Sequence, residues 1–240
     1  MIIEELMMIS EFRIALPVHG MVYSQLRYLG SLPSLLNGLI SNEHQERLSF
    51  AIASVLYEVY DNLHDYFVEL LRGHIPVPEI NGAGYDKYIC YMDDLLAHYS
   101  WPTDSIASRM IKNYVNRPGL SGITEDMSPL ALSSTSDKSI YIGDYDLANA
   151  IHTQMILSKR EFVQSISLLE SRISLQELEC YRMAVETVLL EIDFVVIQPL
   201  EDIHPELKEN QSDDYLVSVM SKHSWPEDNL LQRMLKSSDF

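Results

Sequence analysis

Apolar residues recur along this chain at helical rather than alternating spacing. Phe50, Val55, Val59 and Leu63 stand close to an i, i+4 repeat, and Met183, Val188 and Ile192 do the same further on. Such spacing places side chains on one face of a helix. The stretch from about Asn42 to Leu71 therefore reads as one helix, or two with a bend. Pro17 with Gly20, and Pro76 with Pro78, interrupt the pattern where loops are expected. Alternating stretches such as Ser139-Ile140-Tyr141-Ile142 are few. The expected class is all-α, as helix bundles or stacked helical hairpins.

One tryptophan motif occurs twice. His98-Tyr99-Ser100-Trp101-Pro102 is followed by Arg109-Met110-Ile111-Lys112, and Lys222-His223-Ser224-Trp225-Pro226 by Arg233-Met234-Leu235-Lys236. Upstream, Leu35-Leu36, Ile40-Ser41, Ala51-Ile52, Val55-Leu56 and Glu58-Val59 align with Leu168-Leu169, Ile173-Ser174, Ala184-Val185, Val188-Leu189 and Glu191-Ile192. The register differs by about nine residues between the upstream block and the Trp block. The expected organisation is an internal duplication: a helical copy over 1–118, a linker at 119–139 and a second copy over 140–240. Arg117-Pro118-Gly119-Leu120-Ser121-Gly122 and Ser133-Ser134-Thr135-Ser136 mark the linker. Ser100 and Ser224 are expected to cap the helices that follow, with Glu227 completing a capping box in the second copy. The two tryptophans are expected to anchor those helix starts against the core.

Composition sharpens the picture. Of 240 residues, 47% are hydrophobic and only 9 are glycine, which favours a folded, helical chain. Asp and Glu number 35 against 17 Lys and Arg, for a net charge of −18. Such a field repels nucleic acid and anionic membranes, and attracts basic partners. Cys90 and Cys180 lie in apolar helical contexts and are expected to be buried thiols. No CxxC pair is present, so zinc, redox and disulfide readings lack support. The first residues lack a basic signal-peptide n-region, and no apolar run approaches a membrane span. Cytoplasmic location is the expectation.

Candidate chemistry is sparse. Glu58, Asp61, His64 and Asp65 would share a helix face and could hold a divalent ion, but Asp61, His64 and Asp65 align with Phe194, Ile197 and Gln198 in the second copy. A solvated helix face is the simpler reading, and neither metal nor cofactor is expected. No HExxH or phosphate-loop motif occurs, and Gly82-Ala83-Gly84 is a lone glycine pair. An enzyme is therefore not expected.

The clearest difference between the copies is charge. The segment Glu201 to Asp214 carries Glu201, Asp202, Glu206, Glu209, Asp213 and Asp214 against the one lysine, Lys208, whereas His74 to Tyr85 in the first copy contains Glu79 as its one acid before Tyr85. These six acids are the candidate partner-binding residues, expected on a loop.

Three segments of the second copy carry a resemblance: Ser158-Lys159-Arg160-Glu161-Phe162 as a helix start, Glu191-Ile192-Asp193-Phe194 within a central helix, and Asp213-Asp214-Tyr215-Leu216 opening a final one. Over about 100 residues this resembles helical toxin-immunity proteins of the colicin D type and of contact-dependent growth inhibition. The resemblance implies no catalytic residues. It implies an acidic inhibitor that occludes a basic toxin domain such as a nuclease. The alternatives are a helical adaptor with a groove lined by Tyr57, Tyr60 and Phe67, and a metal-dependent enzyme using Glu58, Asp61 and His64.

Overall fold

A computed structural model describes residues 9, 11–72, 74–75, 83–117 and 140–237. The described residues are all-α, with no strand among them. The expected linker at 119–139, Pro76, Pro78 and Glu79 lie outside them. In the first half, α1 spans Phe12–Leu35 and α2 spans Asn42–Val59. A π-turn at Tyr60–His64 carries α2 into α3, Asp65–Leu70. The expected bent helix from Asn42 is thus a continuous helical run with one wide turn. Helices α4, Ala83–His98, and α5, Ile106–Val115, complete this half.

The second half also opens on two long helices followed by a π-turn. Helix α6 spans Tyr145–Leu169 and α7 Leu175–Ile192, and a π-turn at Asp193–Ile197 leads into α8, Gln198–Ile203. A 3-10 helix, Pro205–Gln211, precedes α9, Asp213–Lys222, and α10, Leu230–Lys236. Ser41 and Ser174 cap α2 and α7, the latter through a full capping box with Glu177.

Several local expectations give way to tertiary forces. Pro17 and Gly20 lie inside α1 rather than in a loop. A mid-helix proline costs about 3 kcal/mol, but nearly every residue from Ile14 to Leu26 is buried, which outweighs it. Gly20 is there for closeness: a Cβ would meet Met234 Sδ and Cε at 3.1 Å. Ile140-Tyr141-Ile142 forms no strand. Phe50 and Met183 are exposed while Val55, Val59, Val188 and Ile192 are buried. A five-residue step turns a helix about 140° beyond one full turn, so those first residues fall off the buried face. Cys90 is exposed and Cys180 partly so, against expectation, because Tyr88, Met92 and Leu96 turn the opposite side of α4 inward. Ser158 to Phe162 lies within α6 rather than opening a helix, and α10 follows the helix that Asp213 begins.

The serines of the Trp motif do not cap the next helix. Ser100 and Ser224 both take φ 52°, in the left-handed region. Trp101 N donates to Leu96 O at 3.0 Å and Ser100 N to Ala97 O at 2.9 Å. Trp225 N donates to Met220 O at 2.8 Å and Ser224 N to Ser221 O at 3.2 Å. This is the six-to-one and five-to-two pairing of a Schellman helix stop. Each serine therefore ends α4 or α9, and Ser105 and Asn229 cap α5 and α10 instead. The tryptophans are buried, as expected.

The halves interlock. Helix α5 packs on α6, α10 on α1, α1 on α6 and α2 on α7. Buried apolar residues of both halves form one core. The Trp loops cross at its edge, with the two indoles 6.3 Å apart at 73°. Arg109 stacks on Trp225 and Arg233 on Trp101. Each guanidinium also donates to backbone carbonyls of the opposite loop, Arg109 to His223 and Ser224, Arg233 to Tyr99 and Ser100. Asp104 and Asp228 hold the respective arginines from behind.

Candidate functional site

Three regions carry groups that packing alone does not require. The first is the acidic segment. It is helical rather than a loop, running from the end of α8 through the 3-10 helix into α9. Apolar and amide side chains alternate with the acids and fasten the segment to α6. Leu207 enters the core. Asn210 donates to Tyr145 Oη and Asn149 Oδ1, both at 3.0 Å, and His204 Nε2 pairs with Ile142 O at 2.8 Å. In a 3-10 helix residues three apart eclipse, so Glu206 and Glu209 stand one above the other. Asp202, Glu206, Glu209, Asp213 and Asp214 are all exposed.

Glu201 departs from that set. It is 7% exposed and meets His152 Nε2 at 3.1 Å, while Gln211 donates to the same carboxylate oxygen. Burial holds the His152 pKa below its usual value, with Glu201 opposing that shift. Glu201 therefore supports the acidic surface from inside and does not face a partner. Glu206 lies 3.8 Å from His204, and Asp213 3.6 Å from Arg160. No ion pair engages Asp202, Glu209 or Asp214 among the described residues.

The second region is the outer face of α2 and α7. Phe50, Tyr57, Met183, Leu190 and Phe194 are all exposed, with Phe50 at 66%. Phe50 and Tyr57 are two helical turns apart, as are Met183 and Leu190, so each pair lies along one stripe. The two helices pack together, and Ser54 donates to Glu191 across them. Glu46, Asp61 and Glu186 are exposed on the same two helical runs. Of the expected adaptor groove, Tyr57 and Tyr60 are exposed, but Phe67 is wholly buried in the core.

The third region is a buried polar chain. His19 Nε2 lies 2.8 Å from Tyr88 Oη, and His64 Nε2 lies 2.9 Å from the same oxygen. His64 Nδ1 pairs with Asp65 Oδ1 at 3.2 Å. If Nδ1–H donates to that carboxylate, neutral His64 accepts at Nε2 from Tyr88, and His19 donates to Tyr88. The buried His19 Nδ1 then has no partner. Desolvation lowers both histidine pKa values, for His19 well below the ordinary value, and pushes Tyr88 far up. All three are neutral near pH 7. The chain runs α1, α4, π-turn, and the π-turn brings His64 into it. Sequence reasoning placed His64 with Glu58 and Asp61. Here His64 turns inward, Glu58 accepts from Asn62, and Asp61 is exposed. Among the described residues no three His, Cys, Asp or Glu side chains are arranged to hold a metal.

The role of His19 was missed. The signal was present: His152 lies at the matching position of the second half, in the register that aligns Leu36 with Leu169. Among the described residues no helix is long and apolar enough to cross a membrane. The chain matches no known family, no curated protein and no solved structure.

Proposed function

We propose that the chain is a helical binding protein that engages a basic protein partner, in the manner of a toxin inhibitor or immunity protein, and that its two halves are copies of one unit. The observation that carries this reading is the set of exposed carboxylates at Asp202, Glu206, Glu209, Asp213 and Asp214, mounted on a segment pinned to α6. A pinned surface loses little freedom on binding, and its field speeds the approach of a cationic partner. With a net charge of −18, the molecule repels nucleic acid, so carboxylates standing where substrate phosphates would sit suit occlusion of a nuclease. The apolar stripe on α2 and α7 supports a second reading, an adaptor whose partner is not basic. On either reading the chain is no enzyme, and it acts in the cytoplasm.

The test is titration against the cationic toxin domain encoded nearest to its gene. A stoichiometric complex that abolishes toxin activity, and whose association slows with added salt, is expected. A toxin domain neither bound nor inhibited overturns the proposal. Tight binding without salt dependence favours the adaptor reading.

A further inference from the structure

Between α1, the first π-turn and α4 lies a cavity of about 170 Å³. Leu26 and Ile89 supply aliphatic wall, and the rings of Tyr23 and Tyr88 meet edge to face at 5.8 Å beside them. Tyr60, Tyr85, His64 and Arg27 complete the lining. Tyr60 and Tyr85 are partly open to solvent, so the cavity has an entrance.

Its unpaired polar groups can all donate a hydrogen bond. Arg27 uses Nη1 on Asp93 at 2.7 Å, and Tyr23 Oη donates to the same oxygen at 2.9 Å. Among the described residues, Arg27 Nε and Nη2 and the hydroxyls of Tyr60 and Tyr85 make no hydrogen bond to protein. The Arg27 groups donate alone, whereas the two phenols can donate as well as accept, and burial raises the Tyr60 pKa and keeps its proton in place. His64 is already held by Asp65 and Tyr88.

The second half carries different side chains at the corresponding positions. In the register that pairs Gln25 with Ser158, the positions of Leu26, Arg27, Tyr60 and His64 hold Lys159, Arg160, Asp193 and Ile197. There a Lys159–Asp193 ion pair takes the place of the aromatic lining. The first half has aliphatic and phenol side chains there, with the buried His–Tyr–His chain behind them.

We propose that this cavity binds a small aromatic carboxylate. The ring meets Leu26, Ile89 and the tyrosine faces, and the carboxylate takes the free donors of Arg27, Tyr60 and Tyr85. Size limits the ligand to one ring: an aliphatic cavity of about 150 Å³ accommodates benzene, and drug-sized pockets begin near 300 Å³. The surrounding phenol rings would also suit an organic cation, but Arg27 in the lining opposes one.

Benzoate is the probe, titrated into the full chain and followed by calorimetry and saturation-transfer NMR. Saturable one-to-one binding is expected, weaker for benzyl alcohol and absent for benzylamine. Arg27→Gln and Tyr60→Phe each remove a donor, and the loss of a charge-assisted bond in the former weakens binding about tenfold or more. Ile89→Trp fills the cavity and abolishes binding. Circular dichroism and a cooperative melt establish that each variant folds. Should Ile89→Trp not fold, Arg27→Gln and Tyr60→Phe carry the test. No binding at millimolar benzoate, undiminished affinity in the folded variants, or preference for benzylamine overturns the proposal.

Discussion

Arg109 stacks its guanidinium 5.3 Å from the ring centre of Trp225 and donates to the Ser224 carbonyl at 2.8 Å, joining the first half to the helix stop of the second. Arg233 repeats the relation with Trp101. Each arginine combines a planar stack with a fork of hydrogen bonds, which lysine cannot reproduce. Arg109→Lys is expected to cost about 2 kcal/mol, since hydrogen bonds from a charged donor are worth roughly 1.5–3 kcal/mol. That corresponds to a fall of roughly 4–8 °C in Tm for a chain of this size. Arg233→Lys should behave alike. Chemical denaturation of both variants checks this, and unchanged midpoints would show that the crossed arginines do not hold the halves together.

The helix stops offer a stabilising change. Ser100 and Ser224 hold φ 52°, a conformation that costs a residue with a Cβ roughly 1–2 kcal/mol and glycine almost nothing. Ser100→Gly and Ser224→Gly should each raise stability, by about 0.5–1 kcal/mol after the added freedom of the unfolded chain is counted. Equilibrium unfolding measures the gain, and a loss at both positions would show that the serine hydroxyls matter more than the backbone.

The His19–Tyr88–His64 chain makes the protein sensitive to acid. Burial lowers both histidine pKa values in the folded state, while the unfolded chain titrates near 6.5. Below that pH the unfolded state binds protons that the folded state refuses. The contribution of these two histidines is therefore complete above about pH 6.5 and declines as pH falls through the folded-state values. Tyr88→Phe leaves two imidazole nitrogens without their shared partner and should cost about 1–3 kcal/mol at neutral pH. Denaturation midpoints at several pH values test both statements. A profile flat from pH 7 to 5 with Glu161→Gln in the background, where that carboxyl no longer titrates, contradicts the first.

Glu161 titrates in the opposite sense. Desolvation raises its pKa to about 8, the Leu230 backbone hydrogen bond opposing, and its Oε2 has no partner. The folded state keeps this proton while the unfolded chain releases it near pH 4.5. The resulting contribution is present below pH 4.5 and lost as pH rises toward 8. Glu161→Gln keeps the shape without the ionisation, so it should stabilise the protein at pH 8 relative to the parent and flatten that limb. If the two proteins lose stability equally between pH 6 and 8, Glu161 is not the group responsible.

Much of this was legible in the sequence, and the failures have causes. Helical class and the Trp anchors follow from periodicity and from two matching motifs. The run from Asn42 through Leu71 was visible because Val55, Val59 and Leu63 keep their face. Pro17 misled because propensity is local, whereas α1 is buried on nearly all sides. Ser224 followed three residues on by Glu227 imitates a capping box, yet only the backbone geometry distinguishes a helix stop from a start. The His–Tyr–His chain joins α1, α4 and the π-turn across 69 and 24 residues of sequence, and no spacing rule spans such distances.

Glu201 and its acidic neighbours separate a structural carboxylate from surface ones. The sequence presents six acids as one group, but the fold places Glu201 inside, shared by His152 and Gln211. Glu201→Ala leaves the buried His152 without its partner while exposed Gln211 turns to water, which should cost about 1–3 kcal/mol. Asp202→Asn, Glu206→Gln and Glu209→Gln leave no buried group unsatisfied, and each should stay within about 0.5 kcal/mol of the parent. Against a cationic toxin domain the pattern should invert. The three exposed neutral variants, combined, should slow association and weaken its salt dependence, while dissociation changes little. Unfolding curves and stopped-flow association measure the two halves of this contrast. If the exposed triple variant unfolds early or associates at the parental rate at low salt, the division between support and surface fails.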